Sequence, residues 1–473
     1  MSDFTHPFHP VAGGLAARRA FLKRSGAGLG LLALAGLLGR EAEGAALHVP
    51  TNPLAPQPGR LPAKARAVIW LFMEGGPSGF DLFDPKPELQ RRHGERVPID
   101  TFFGNPGPLL RSPFEFRQHG RSGAWVSEIY PGVARHVDRI AFVRSCVAES
   151  NNHAPAMFHM NTGFVRAGFP SAGSWVTYGL GSANQNLPGF VVLGNRRGSK
   201  GGPVNWSSGF LPSAHQGTLF RPGTSPIANL TPPPTLRRED QRAQLDLLAR
   251  LNEGHLRQHP DEPDLLARVQ SYELAYRMQA EALEAIDLAS EGEGIRRLYG
   301  MDQPHSAPFG TKCLLARKLV ERGVRFVQVY CDDEWDAHGD IRQNHSDMAR
   351  QTDAGIAGLL SDLDQRGLLD EVLVVWGGEF GRMPVSEGGK GRDHNPHGFC
   401  TWFAGAGIRG GTLHGATDEI GYKAVQDPAS IHDLHATLLH LLGLDHERLT
   451  FHHNGRNFRL TDVSGEVLRP ILA

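Results

Sequence analysis

The sequence predicts an α/β protein: a three-layer sandwich with a mostly parallel central sheet and an inserted helical hairpin. Three observations carry this reading. Short, uncharged apolar runs recur along the chain, as strands buried on both faces require. Helix-periodic segments separate the later runs, the alternation expected of a parallel sheet covered on both sides. Polar, glycine-rich clusters follow several runs, and open α/β sheets bind ligands outside the carboxyl ends of their strands.

Composition narrows the function. The 473 residues are 40% hydrophobic and 21% charged, enough for a large core. Lys plus Arg number 49 against 50 Asp plus Glu, a formal charge of −1, so there is no global basic field for nucleic acid. Small-molecule or glycan chemistry is expected instead. The 57 Gly and 33 Pro suit many tight loops on a rigid scaffold, and the 23 His direct attention to metal chemistry. Cys146, Cys313, Cys331 and Cys400 lack C-x-x-C spacing and read as small buried apolar residues.

Taken in order, Arg18-Arg19-Ala20-Phe21-Leu22-Lys23 and the apolar stretch from Gly26 to Gly39 have the layout of a twin-arginine export signal. The stretch is short for a permanent membrane span, so no stable transmembrane anchor is expected. The expected domains are a signal peptide over 1–46, a Pro-rich linker over 47–64 and one large domain over 65–473. Export through the twin-arginine translocase places the folded protein in the periplasm or outside the cell. Strands are expected at Ala67–Met73, Ile140–Val143, Phe190–Leu193, Phe326–Tyr330, Val372–Trp376 and Thr401–Ala404. Met348 to Leu363 has helical periodicity, and about 236–300 reads as a helical insertion.

Chemistry gathers where the strands end. Glu74-Gly75-Gly76-Pro77-Ser78 follows the first, with Asp81 and Asp84 behind it. Asp332-Asp333-Glu334-Trp335-Asp336-Ala337-His338 follows the fourth, and so many carboxylates beside imidazoles call for a cation. Gly378-Glu379-Phe380-Gly381-Arg382 and Gly391-Arg392-Asp393-His394 complete the set. Carboxylates with imidazoles suit zinc, manganese, magnesium or calcium, and Arg382 and Arg392 suit a tetrahedral oxyanion.

Gly405-Ala406-Gly407-Ile408-Arg409-Gly410-Gly411, then Asp433-Leu434-His435-Ala436-Thr437-Leu438-Leu439-His440-Leu441-Leu442-Gly443, resembles the C-terminal signature of the alkaline phosphatase and sulfatase superfamily. Gly75-Gly76-Pro77-Ser78, Gly378 to Arg382, Gly391 to Pro396 and Gly415 to Glu419 resemble an exported bacterial sulfatase-like family, domain of unknown function 1501. This likeness spans roughly residues 60 to 473. It implies an alkaline-phosphatase-like sandwich with Glu74, Asp336, His338, Glu379 and His394 as metal ligands. Phe380 stands where phosphatases carry a second-site histidine. His153-Ala154-Pro155 through Thr162-Gly163 aligns with the sulfatase C-x-P-S-R segment, with His153 at the nucleophile position, so a formylglycine enzyme is not expected. His153 is a nucleophile, a metal ligand or the mark of a site without catalysis. Ser171 and Ser174 are fallback nucleophiles, and His432, His435 and His440 read as structural.

The expected function is metal-dependent hydrolysis of phosphate or sulfate esters, with His153, Arg382 and Arg392 as catalytic groups. The alternative is a catalytically inactive protein of the same fold that binds an oxyanion or a sulfated glycan.

Overall fold

The six apolar runs all become strands of one sheet. The computed structural model describes residues 52–473 other than 53, 103, 105, 196, 222–226, 228, 229, 231, 232, 234 and 259–262. The expected signal peptide and the start of the expected linker lie outside them. Among the described residues the sheet comprises β1 (Ala67–Phe72), β2 (Ile140–Val147), β3 (Phe190–Leu193), β4 (Thr218–Phe220), β5 (Phe326–Tyr330), β6 (Val372–Gly377), β7 (Phe399–Gly405), β8 (Leu413–His414) and β9 (Ala429–Ser430). Their spatial order is β8-β2-β7-β6-β1-β5-β3-β4, with β9 also paired to β2. Every pairing is parallel except those of β7 with β2 and β6. The sequence did not mark β4, β8 and β9, which have two or three residues each, too few for an apolar run to stand out.

Among the described residues seven longer helices accompany the sheet: α1 (His153–Thr162), α2 (Ala172–Leu180), α3 (Arg238–Gln258), α4 (Pro263–Ile286), α5 (Ala307–Glu321), α6 (Ile341–Gln365) and α7 (Ile431–Leu441). Alternation along β1 divides the core in two. Ile69 and Leu71 join a cluster with Leu314 of α5 and Leu359 of α6, while Val68, Trp70 and Phe72 join Met157 of α1, Val176 of α2 and Leu438 of α7. A leucine buried as completely as Leu71 contributes about 1.5–3 kcal/mol. Three layers result, the central strand covered on both faces.

The periodic segment from Met348 lies within α6, which begins earlier because Asp340 caps it, accepting the Gln343 N–H at 3.1 Å. Helices α3 and α4 are linked by Arg242 and Glu273 at 2.5 Å, and Met278, Ala282 and Ala285 of α4 reach the core. Ahead of β1, Gln57, Leu61 and Ala65 donate backbone hydrogen bonds to Leu180, Gly443 and Leu441. All four cysteines are buried and none forms a disulfide. No helix among the described residues is long and apolar enough to cross a membrane.

Candidate metal centre at the sheet edge

Strands β1, β2, β3, β5 and β6 run the same way, so their carboxyl ends share one edge, where β7 begins. The loops at this edge pack backbone against backbone. Gly75 has φ of 109°, and a Cβ there would lie 2.6 Å from the Trp335 nitrogen. Trp335 N–H donates to the Glu74 carbonyl at 2.8 Å, and Arg392 N–H to the Ala337 carbonyl at 2.9 Å. A two-residue antiparallel ladder sets Arg382 opposite His394, which brings the last ligand back to the edge.

Asp336 is the hub of the arrangement. Its Oδ2 lies 3.0 Å from His153 Nε2, and its Oδ1 lies 2.9 Å from His338 Nε2 and 3.3 Å from His394 Nε2. One ligand atom from each of these four residues falls within 4.8 Å of all the others. Burial alone would raise the Asp336 carboxyl. The contacts from His153, His338 and His394, with the Arg382 charge, instead hold it well below the usual carboxylate range.

The far side of each ring also has an oxygen partner. His153 Nδ1 faces Glu379 Oε1 at 2.6 Å, His338 Nδ1 faces Glu387 Oε2 at 2.5 Å, and His394 Nδ1 faces the Asn151 carbonyl at 2.7 Å. Each Nδ1 faces an oxygen acceptor and each Nε2 faces Asp336, so a divalent cation taken up at the centre would leave the proton on Nδ1 and turn the Nε2 lone pair to the ion. His338 Nε2 and His394 Nε2 stand only 2.9 Å apart, too close for both to carry protons. Burial lowers the His394 pKa, in keeping with a neutral ring, while contacts with Asp336 raise those of His153, against burial, and of His338. Three imidazole nitrogens and one carboxylate aimed at one point form a donor set that fits a divalent cation, with the oxygen partners behind the rings as metal sites require.

The remaining expected residues lie around this cluster. Glu379 sits behind His153 and also accepts the Gly75 N–H at 3.0 Å. Glu74 is fully buried and accepts the Lys200 N–H at 2.7 Å and Asn195 Nδ2 at 3.3 Å. Burial first, and then the charges of Glu379 and Glu334, push its pKa up to about 7 against the Lys200 hydrogen bond. Arg382 is buried and braces Asp336 at 2.6 Å, its other donors spent on the carbonyls of Gly75, Gly76 and Arg392. The Arg392 guanidinium turns elsewhere. It pairs with Asp81 at 2.9 Å, lies over the Phe80 ring and donates to the carbonyls of Met383, Pro384 and Leu110. That gives it the position of a structural ion pair, not of a group facing the cluster.

Ser171 and Ser174 are buried, bonded to each other at 2.9 Å and to the Ser207 carbonyl at 3.1 Å, and Ser171 occupies the N-cap position of α2. His432 and His435 bond the carbonyls of Gly163 and Met160, as structural residues do. Three features escaped sequence reasoning: Lys200, Glu387 and the Asn151 carbonyl. Lys200 Nζ lies 3.0 Å from Asp336 Oδ2 and 2.8 Å from Glu334, and these carboxylates raise its pKa against partial burial, so it stays charged. Its place in Gly198-Ser199-Lys200-Gly201-Gly202, beyond the end of β3, was the available signal.

Fold and site together define the class: a mixed α/β protein with a nitrogen-rich candidate metal centre at the carboxyl edge of a mostly parallel sheet. Residues 65–472 match the family described as "Protein of unknown function (DUF1501)", and the chain belongs to that family. No curated protein matches it. Among solved structures, similarity is found to a phosphonate monoester hydrolase from Silicibacter pomeroyi, with 11% identity, 72% of this chain and 71% of that one covered, and a TM-score of 0.36. A sulfatase from a Pseudoalteromonas species shows 11% identity, 80% and 68% coverage and a TM-score of 0.35. A protein of the alkaline phosphatase superfamily from Vibrio parahaemolyticus shows 10% identity, 83% and 70% coverage and a TM-score of 0.35.

Proposed function

We propose that the chain is an exported metal-dependent hydrolase of phosphate or sulfate esters, acting in the periplasm or outside the cell. The observation that carries the reading is the convergence of His153, His338 and His394 Nε2 on Asp336, each ring tied behind by an oxygen. The superfamily-like motifs of the sequence and the twin-arginine pattern supply the reaction class and the export route.

His153, Asp336, His338 and His394 would hold the ion. Three imidazoles favour zinc or manganese over magnesium or calcium. A bound divalent ion supplies Lewis acidity toward the ester oxygen and lowers the pKa of water to near neutrality. The protein contributes position and charge. Glu379 and Glu387 keep protons on Nδ1 of their histidines, and Arg382 fixes the Asp336 carboxylate. Lys200, part-exposed beside Asp336, offers its ammonium to the non-bridging oxygens as negative charge builds on them. His153 serves as a ligand, since its Nε2 is turned onto Asp336 and its Nδ1 is engaged by Glu379.

The test is hydrolysis of p-nitrophenyl phosphate and p-nitrophenyl sulfate by the full chain loaded with zinc or manganese. Turnover that disappears on chelation and in His394→Ala supports the reading. Metal binding with no turnover of either ester sinks it and favours the oxyanion-binding alternative.

A further inference from the structure

An open cavity of about 540 Å³ adjoins the cluster, with Asp336 in its wall. Pockets of this size suit one or two sugar rings or a comparably small alcohol. Its position beside the proposed ester site makes it the place where the alcohol part of the substrate would lie, so the inference rests on the hydrolase reading.

The charge of the wall decides what the cavity accepts. Its two guanidiniums already face carboxylates, Arg197 with Asp333 at 3.0 Å and Arg350 with Asp347 at 3.5 Å. Glu334 and Asp336 of the wall share Lys200, which is not itself among the lining residues. Gln351 Nε2 donates to Asp333 at 3.2 Å. Among the described residues, Met348 is the one apolar side chain lining it. The wall therefore has no surplus of positive charge, carries many carboxylate and amide groups, and offers little apolar surface.

A polyanionic chain entering the cavity would bring its further sulfates against carboxylates without a counter-charge to meet them. Neutral hydroxyl groups would instead donate to carboxylate oxygens and accept from guanidinium and amide N–H groups, pairing with the wall without disturbing its balance. We infer that the cavity is a leaving-group subsite for a neutral, polyhydroxylated alcohol, a sugar or polyol carrying a single phosphate or sulfate ester. Hydrolysis there adds water across the ester, leaving the neutral polyol with its hydroxyl restored and one free phosphate or sulfate ion.

The experiment compares three probes on the metal-loaded full chain: p-nitrophenyl esters, glucose 6-phosphate with glucose 6-sulfate, and a polysulfated galactan oligomer. Expected is a kcat/KM for a glucose ester at least about tenfold above that for the oligomer, the worth of about one charge-assisted hydrogen bond. Asp347→Ala and Gln351→Ala should raise KM for the glucose ester about tenfold more than for the aryl ester. Preference for the oligomer, with a kcat/KM that falls steeply as salt rises, overturns the inference. So do subsite variants that affect both esters equally. If the aryl esters are cleaved and only the glucose preference fails, the subsite assignment falls alone; if no ester is cleaved, the hydrolase reading falls and takes the subsite with it.

Discussion

Glu379 joins two distant segments at one carboxylate: its Oε1 lies 2.6 Å from His153 Nδ1 and 3.0 Å from the Gly75 nitrogen. It thereby sets the orientation of the ring that opens α1 and holds the loop after β1 in place. Partners behind a metal-bound imidazole fix its tautomer and raise its basicity. Glu379→Gln keeps an acceptor for Gly75 but loses the negative charge behind His153. Competition with a chromogenic chelator should show metal affinity reduced by about 10–100-fold, with the fold retained. An unchanged affinity would remove Glu379 from the site.

On the proposed hydrolase reading, Lys200 would act on charge that develops during the reaction. Lys200→Met should retain the metal and lower kcat/KM for an aryl ester by about 100-fold, the loss associated with a positioned oxyanion donor. Steady-state kinetics with parallel metal analysis checks this. Equal activity in the variant would assign Lys200 to fixing Glu334 and Asp336 only.

Arg392 tests the distinction between a buried ion pair and a catalytic group. Both Arg392 and Asp81 are fully buried, so Arg392→Met strands a carboxylate and should cost about 3–5 kcal/mol of stability. Chemical denaturation measures the loss. Normal stability with abolished turnover would return Arg392 to the catalytic set.

Acid should weaken the fold through histidines that are not members of the candidate cluster. Burial pushes His159 and His215 down to about 4 and His435 to about 3. The unfolded chain takes up these protons near the ordinary histidine value of about 6.5, before the folded chain does. Their contribution is therefore complete above about pH 6.5 and falls by roughly 1.4 kcal/mol per pH unit for each residue as pH drops toward the folded values. Urea midpoints between pH 7 and 5 should decline, and His215→Gln should make that decline shallower. A flat profile in the wild type would contradict the burial of these rings.

Most of the sheet was legible because its strands are buried on both faces, which compels uninterrupted apolar runs such as Ala67–Phe72. The candidate cluster was partly legible for a related reason. Asp336, His338 and His394 follow or precede strands whose ends meet, and glycines such as Gly75 mark where the loops touch. The division of labour was not legible. Whether Glu379 or His153 points at the hub depends on which side of one ring each occupies, a tertiary distance that no spacing encodes. Arg392 lies two residues from His394 in sequence, yet its guanidinium turns away to Asp81. Glu387 and the Asn151 carbonyl act only through contacts made by the folded loops.

Metal stoichiometry of the purified chain, measured by elemental analysis after dialysis without chelator, tests the central claim most directly. The four-residue cluster predicts about one tightly held zinc or manganese per chain, lost in a His153→Ala/His394→Ala double variant that keeps its fold. A chain that stays free of metal after reconstitution with zinc, manganese, magnesium and calcium would contradict the account.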